Sequence, residues 1–280
     1  MKHVEHSDLA GRVAFVTGAS RGLGRAYALA LGSAGADVAV AARSADSLAE
    51  TCATLERGGR RAIALPLDVT DSDAVAAAVA RTEQTLGPID VLVNGAGVMS
   101  PLGRDWEIDP VAWWRTVEVN VYGAFLCWHA VLPAMMERRR GRIINITSSA
   151  AGKRYPLYSA YGASKAALSH ASASLADAVR EFGIQVFAYC PGFVRTDMTE
   201  ALADAPIIRD FVHDGFRRAL DEGRSTPIER SAGVLLLLAR GDADALSGQQ
   251  IDVSDDVSAL TDQQGKPLLD RGASEEFVVS

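Results

Sequence analysis

Short, uninterrupted apolar runs alternate with longer helical patterns almost from one end of this chain to the other. The runs span Arg12 to Thr17, Asp37 to Ala42, Ala62 to Leu67, Ile89 to Asn94, Arg142 to Thr147, Gln185 to Tyr189 and Gln249 to Val253. Between them lie helical stretches from Leu23 to Ser33, Ser47 to Glu56, Asp71 to Leu86, Pro110 to Met136, Ser159 to Phe182 and Pro227 to Arg240. Strands that lack polar alternation are covered on both faces, as in a parallel sheet. Parallel neighbours need right-handed crossovers, and helices of this length supply them. The expected fold is α/β: a doubly wound parallel sheet of about seven strands with helices on both faces, in three α/β/α layers. Thr196 to Thr226 interrupts the rhythm as a long insertion with weak helical periodicity.

The chain has 280 residues, of which 48% are hydrophobic and 22% charged, ordinary globular composition with ample length for a core. One domain over residues 1–257, with the insertion at 196–226 as a loop, and a polar tail at 258–280 are expected. A net charge of -7 and a pI near 5.3 argue against nucleic acid as a partner. The basic run Arg138-Arg139-Arg140 reads as a solvated helix end. Cys52, Cys127 and Cys190 are far apart and form no C-x-x-C pair, and the five histidines show no ligand spacing, so no metal site is expected. The start of the chain, with His3 and His6, lacks a signal-peptide pattern, and no apolar run approaches membrane length. A reducing cytoplasm is the expected location, with no membrane partner.

The first strand runs into Thr17-Gly18-Ala19-Ser20-Arg21-Gly22-Leu23-Gly24 and then a helix. Glycines allow a tight turn and close approach of backbone to phosphate, and the helix N-terminus offers free N–H groups to an anion. The spacing is G-x-x-x-G-x-G, not G-x-G-x-x-G. Its place after the first strand of a βαβ unit is the context that a nucleotide turn needs. At the end of the second strand a NAD site places an acid for the ribose 2′-hydroxyl, but this chain has Ala42-Arg43-Ser44. Arg43 and Arg21 are candidates to clamp a 2′-phosphate, which favours NADP(H) over NAD(H); simple solvation of both is the alternative.

Tyr161 and Lys165, in Y-G-A-S-K, lie four residues apart in a helical stretch, on one face about a turn apart. An ammonium beside a phenol pushes it toward phenolate, able to exchange a proton with a substrate oxygen near neutral pH. A packed ring and a solvated amine are the other reading of this spacing.

Taken together, the residues from about Leu9 to Val253 resemble the short-chain dehydrogenase/reductase family. The resemblance rests on T-G-A-S-R-G-L-G at Thr17 to Gly24, Asp68-Val69, N-G-A-G at Asn94 to Gly97, Asn120 in V-N-V, Ser148 after I-I-N-I-T, Y-G-A-S-K, and P-G-F-V-R-T at Pro191 to Thr196. It implies a Rossmann-type sheet and an oxidoreductase that moves a hydride between NADP(H) and a ketone or secondary alcohol. Tyr161 is then the general acid or base, Lys165 lowers its pKa and binds the nicotinamide ribose, and Ser148 holds the substrate oxygen. Asn120 holds a water beside Lys165. Ser149 is a rival to Ser148, but the thirteen-residue interval to Tyr161 matches Ser148. The resemblance places the cofactor on Gly18, Ser20, Arg21, Gly22, Leu23, Gly24, Arg43, Asp68, Val69, Asn94, Ala96, Tyr161, Lys165, Pro191, Gly192, Val194 and Thr196. The alternative is a non-catalytic NADP(H)-binding sensor or scaffold on the same fold, expected to have lost one of Ser148, Tyr161 and Lys165.

Two departures stand out. Gly95 replaces the second Asn of the usual N-N-A-G, which is expected to loosen a structural hydrogen bond. Asp255 and Asp256 replace the glycines that commonly follow the last strand, so the chain is expected to leave that strand differently. Substrate choice is expected to lie in Val98 to Glu107, Ala150 to Tyr158 and the insertion after Thr196; their apolar and aromatic residues either form a pocket suited to a bulky or cyclic ketone or close the core beneath the loop. The insertion is expected to be a mobile lid without ligand. The resemblance also implies a homodimer or homotetramer, with the long helices that hold Trp113, Trp128 and His170 as the contact surfaces.

Overall fold

The computed structural model describes residues 9–257. His3, His6 and the expected polar tail at 258–280 lie outside them. The elements run β1 (Val13–Thr17), α1 (Gly22–Ser33), β2 (Asp37–Ala42), α2 (Ala45–Arg57), β3 (Ala62–Pro66), α3 (Ser72–Thr85) and β4 (Ile89–Asn94). The second half follows with α4 (Pro110–Val117), α5 (Gly123–Arg138), β5 (Gly141–Ile146), α6 (Ser159–Val179) and β6 (Ile184–Cys190). Three short helices come next, α7 (Asp197–Asp204), α8 (Pro206–Val212) and α9 (Gly215–Asp221), then α10 (Ile228–Arg240) and β7 (Gln250–Asp252).

All seven strands form one parallel sheet in the order β3-β2-β1-β4-β5-β6-β7, the three-layer Rossmann-type arrangement. Alternate side chains feed the two faces. Ala14, Val16, Val38, Val40, Ile144 and Tyr189 pack toward α1 and α10. Val13, Phe15, Leu92, Ile143 and Val186 pack toward α3, α5 and α6. Strand order reverses direction at β1 and β4, and there the C-terminal strand ends open a crevice. Thr17 pairs with Asn94, and Asn94 with Asn145, so three polar side chains stand in register at its floor.

Several boundaries differ from the sequence reading. The helix expected from Pro110 to Met136 is interrupted by a π turn at Glu118–Tyr122, which places Asn120. The 29-residue stretch Pro110–Arg138 is, contrary to expectation, long and apolar enough to cross a membrane. Here it is a core element, with Leu126, Cys127, Val131 and Met135 buried against the sheet. Arg138 and Arg140 are not simply solvated: Arg138 donates to the Ile89 carbonyl at 2.8 Å, and Arg140 pairs with buried Asp90 at 2.6 Å. On the helices expected as contact surfaces, Trp128 is buried, the Trp113 indole N–H donates to Ser159 Oγ, and His170 is exposed. Tyr122 at the end of the π turn and Phe125 and His129 of α5 form an exposed aromatic strip, stacked pairwise around Phe125.

The insertion after Thr196 is helical because it packs a small apolar core against the segment before α6 and the start of α6. Leu202 and Ile208 are buried against Leu157, Tyr158 and Tyr161. After β7 the Asp255 carboxylate accepts from the Asp252 N–H at 2.8 Å, and the Ser254 N–H bonds Asp252. This side-chain-held turn needs no residue with positive φ at Asp255 or Asp256.

Candidate active site

The crevice is a cleft of about 1120 Å³ whose walls come from both halves of the sheet. On the β1 side, Gly18 has φ +70 and Gly24 packs so closely on the turn that a Cβ there would lie 2.2 Å from the Gly18 carbonyl oxygen. The turn thus folds back on itself and presents the start of α1. That helix has no side-chain cap and no acid in its first turn, leaving its first N–H groups to the cleft. The turn is also fastened to β4: the Gly95 and Ala96 N–H groups both donate to Thr17 Oγ1 at 3.1 Å. A Cβ on Gly95 would sit 2.7 Å from the Thr17 carbonyl oxygen. Gly95 therefore permits this close approach of the turn to β4.

At the β2–β3 end the cleft is lined by Arg43, Ser44, Asp68 and Val69. Arg43 is exposed and has no hydrogen bond or ion pair among the described residues. Arg21 differs, pairing with Asp197 of α7 at 2.9 Å. Asp68 accepts from the Thr70 N–H and hydroxyl and from Arg115 Nη2 at 2.8 Å. Burial opposes its ionisation, but these hydrogen bonds and the Arg115 charge outweigh it and hold the carboxyl below the usual range. Arg115 carries no signal in the sequence, because it reaches this place only through the packing of α4.

On the β5–β6 side three side chains converge. Tyr161 and Lys165 stand on one face of α6, with the ammonium 5.6 Å from the centre of the tyrosine ring. Lys165 Nζ donates to the Ile146 carbonyl at 2.7 Å. Ser148, just beyond β5, is the serine whose hydroxyl acts on the proton affinity of Tyr161, which distinguishes it from Ser149. The proton affinities differ from the sequence expectation. Burial pushes the Tyr161 phenol up to about 12, with the Ser148 hydroxyl pulling the other way. Burial also lowers the Lys165 ammonium to about 8. Desolvation, not attraction between the two, dominates both groups.

Asn120 is placed beside this group but does not line the cleft. Its amide nitrogen donates to the Val98 carbonyl and Ser164 Oγ, both at 2.9 Å, and its oxygen accepts from the Val98 N–H at 2.8 Å. Both amide hydrogens are thus committed, leaving one lone pair on Oδ1. A Cβ on Gly97 would lie 3.2 Å from that oxygen and 3.6 Å from Lys165 Nζ, so the missing side chain leaves a space between them. Asn94 also stands off the cleft, contrary to expectation: it donates to Asn145 at 2.8 Å within the sheet. The other expected cofactor residues all line the wall, Ser20, Gly22, Leu23, Pro191, Gly192, Val194 and Thr196 among them. Thr147, missed in the sequence, lines it too, and its buried hydroxyl has no partner. An uncapped helix start, an unpaired arginine and an orphaned hydroxyl along one cleft fit a dinucleotide with a polar head at each end.

The sequence profile described as short chain dehydrogenase matches residues 12–206. The chain belongs to the short-chain dehydrogenase family. A short chain dehydrogenase from Pseudocercospora fijiensis is 41% identical over 192 residues, 68% of this chain and 62% of that protein. The crystal structure of a gluconate 5-dehydrogenase from Burkholderia cenocepacia, in complex with NADP and tartrate, is 28% identical with a TM-score of 0.81, over 92% of this chain and 99% of that one. A 7α-hydroxysteroid dehydrogenase complexed with NADH and 7-oxo glycochenodeoxycholic acid is 29% identical with a TM-score of 0.81, over 91% and 97%. A short-chain dehydrogenase is an NAD(P)-dependent oxidoreductase, and this membership makes the convergence of Ser148, Tyr161 and Lys165 a candidate active site.

Proposed function

We propose that the protein is an NADP(H)-dependent carbonyl reductase or alcohol dehydrogenase acting on a ketone or secondary alcohol. The observation that carries this reading is the meeting of Ser148, Tyr161 and Lys165 in the cleft that also presents Arg43. Bound nicotinamide supplies or accepts the hydride. The chain's residues handle the oxygen and its proton. In reduction, Ser148 Oγ and the Tyr161 hydroxyl both donate to the substrate carbonyl oxygen, stabilising the charge that develops there. The Tyr161 phenol then passes its proton to that oxygen, which becomes the alcohol. Its high proton affinity keeps this proton in place beforehand. Lys165, charged below about 8, favours the phenolate left behind. A water between Asn120 Oδ1 and Lys165, in the space beside Gly97, returns the proton from solvent.

Arg43 is the residue that distinguishes the cofactors, since it is unpaired while Arg21 is shared with Asp197. NADP is bound in one similar structure and NADH in another, so a direct comparison decides. Titration of the protein with NADPH and NADH, repeated on Arg43→Ala, tests this. NADPH affinity falls by about tenfold or more while NADH affinity changes by less than about twofold. Tighter NADH binding by the unmutated protein contradicts the NADP(H) assignment.

A further inference from the structure

The cleft beyond Tyr161 has a composition that limits what fits there. The ionisable residues lining the whole cleft, tyrosines aside, are Arg21, Arg43, Asp68, Arg115, Lys165 and Asp197. Arg43, Asp68 and Arg115 stand at the β2–β3 end, across the β1/β4 crevice from β5 and β6. Arg21 and Asp197 pair with each other, and Lys165 is held by Ile146. Among the described residues, Lys165 behind Tyr161 is then the one cation at this end without a carboxylate partner, and no further cation lines it for a substrate carboxylate away from the reacting oxygen. The walls there are aromatic instead. Tyr155 stacks on Tyr158 with ring centres 4.9 Å apart, Tyr158 leans on Tyr161 at 6.4 Å, and Phe193 packs on Phe216 at 5.5 Å. Trp106 and Phe211, apolar residues of the same segments, are exposed and do not line the cleft.

Tyr158 is 6% exposed, lines the cleft, and its hydroxyl has no hydrogen-bond partner among the described residues. A purely hydrocarbon ligand covering that hydroxyl would leave it unpaired, which disfavours such a ligand. A carboxylate would be desolvated without a counter-ion, which disfavours it more.

We infer that this end of the cleft takes an uncharged, ring-bearing ketone or alcohol with a second neutral oxygen, and that the Tyr158 hydroxyl donates to that second oxygen. The inference rests on the oxidoreductase reading of the cleft and adds the substrate class to it. Tyr155, Phe193 and Phe216 supply the flat apolar surfaces for the ring. Tyr158 discriminates among substrates, while Tyr161 exchanges the proton.

The test compares three probes: decalin-1,6-dione, 2-decalone and 4-oxocyclohexanecarboxylate. Initial rates with NADPH give kcat and KM, and tryptophan fluorescence with NADP+ gives the affinity of each dead-end complex. The expected order of affinity is dione, then monoketone, then carboxylate, with about tenfold or more between first and last. Tyr158→Phe raises KM and the dead-end Kd for the dione by about tenfold and removes its advantage over 2-decalone, with kcat changed far less. Tightest binding of the carboxylate, or an equal loss for dione and monoketone in Tyr158→Phe, overturns the inference. If no probe is turned over, the dead-end affinities still decide it: the predicted order without turnover keeps the binding site and counts against the reductase.

Discussion

An exposed lysine loses its proton near 10.5, but burial brings Lys165 to about 8. Between those values the unfolded chain binds more protons than the folded one, so Lys165 makes stability rise with pH over that window. Tyr161 acts with the opposite sign. Its phenol moves from 10.0 to about 12, the folded chain holds more protons between them, and stability falls as pH rises through that range. Urea unfolding at a series of pH values checks both. Lys165→Met removes the rise between 8 and 10.5, a change of up to about 3 kcal/mol, and Tyr161→Phe removes part of the fall above 10. The spacing of Tyr161 and Lys165 was legible in the sequence because four residues make one helical turn. Their proton affinities were not, because those depend on the depth to which other elements bury them. Tyr158 was visible only as one aromatic residue of a loop. Its unpaired hydroxyl is a property of the folded surroundings.

Among the elements, the turn between β1 and α1 has the least room for change. A methyl group on Gly24 would meet the Gly18 carbonyl oxygen at 2.2 Å, and backbone on both sides leaves no flexible atom to yield. Gly24→Ala destabilises the protein by about 2 kcal/mol or more and weakens dinucleotide binding together with it, as thermal unfolding with and without NADPH would show. The glycine pattern and the strands were readable because turn chemistry and burial on both faces act locally. The three helices after Thr196 were not. Their periodicity is weak, and burial of Leu202, Ile208 and Leu220 fixes them. The π turn that sets Asn120 has no sequence signature at all. Nor does the Arg21–Asp197 pair, which joins residues 176 positions apart and links the nucleotide turn to α7.

At the scale of the whole molecule, the reversal of strand order is what brings the two sets of residues into one cleft. The turn residues come from the first strand and the proton-handling residues from the fifth strand and the helix after it. The order of motifs in the sequence already implied this sheet. The helices that would meet a second copy were legible, but which of their side chains face outward was not, since Trp113 and Trp128 turn inward. We propose a homodimer or homotetramer that covers the strip formed by Tyr122 of the π turn and Phe125 and His129 of α5, with the exposed His170 of α6. Light scattering then gives two or four chain masses, and Phe125→Glu shifts the protein toward one; a single-chain mass for the unmutated protein contradicts the proposal. The most direct test of the central claim is oxidation of NADPH by cyclic ketones, measured on the protein and on Tyr161→Phe, with NADPH affinity followed in parallel. Turnover is expected to fall by about 10³-fold or more in the variant while NADPH affinity stays within about threefold. Turnover within about tenfold of the unmutated protein would show that the proton passes through some other group.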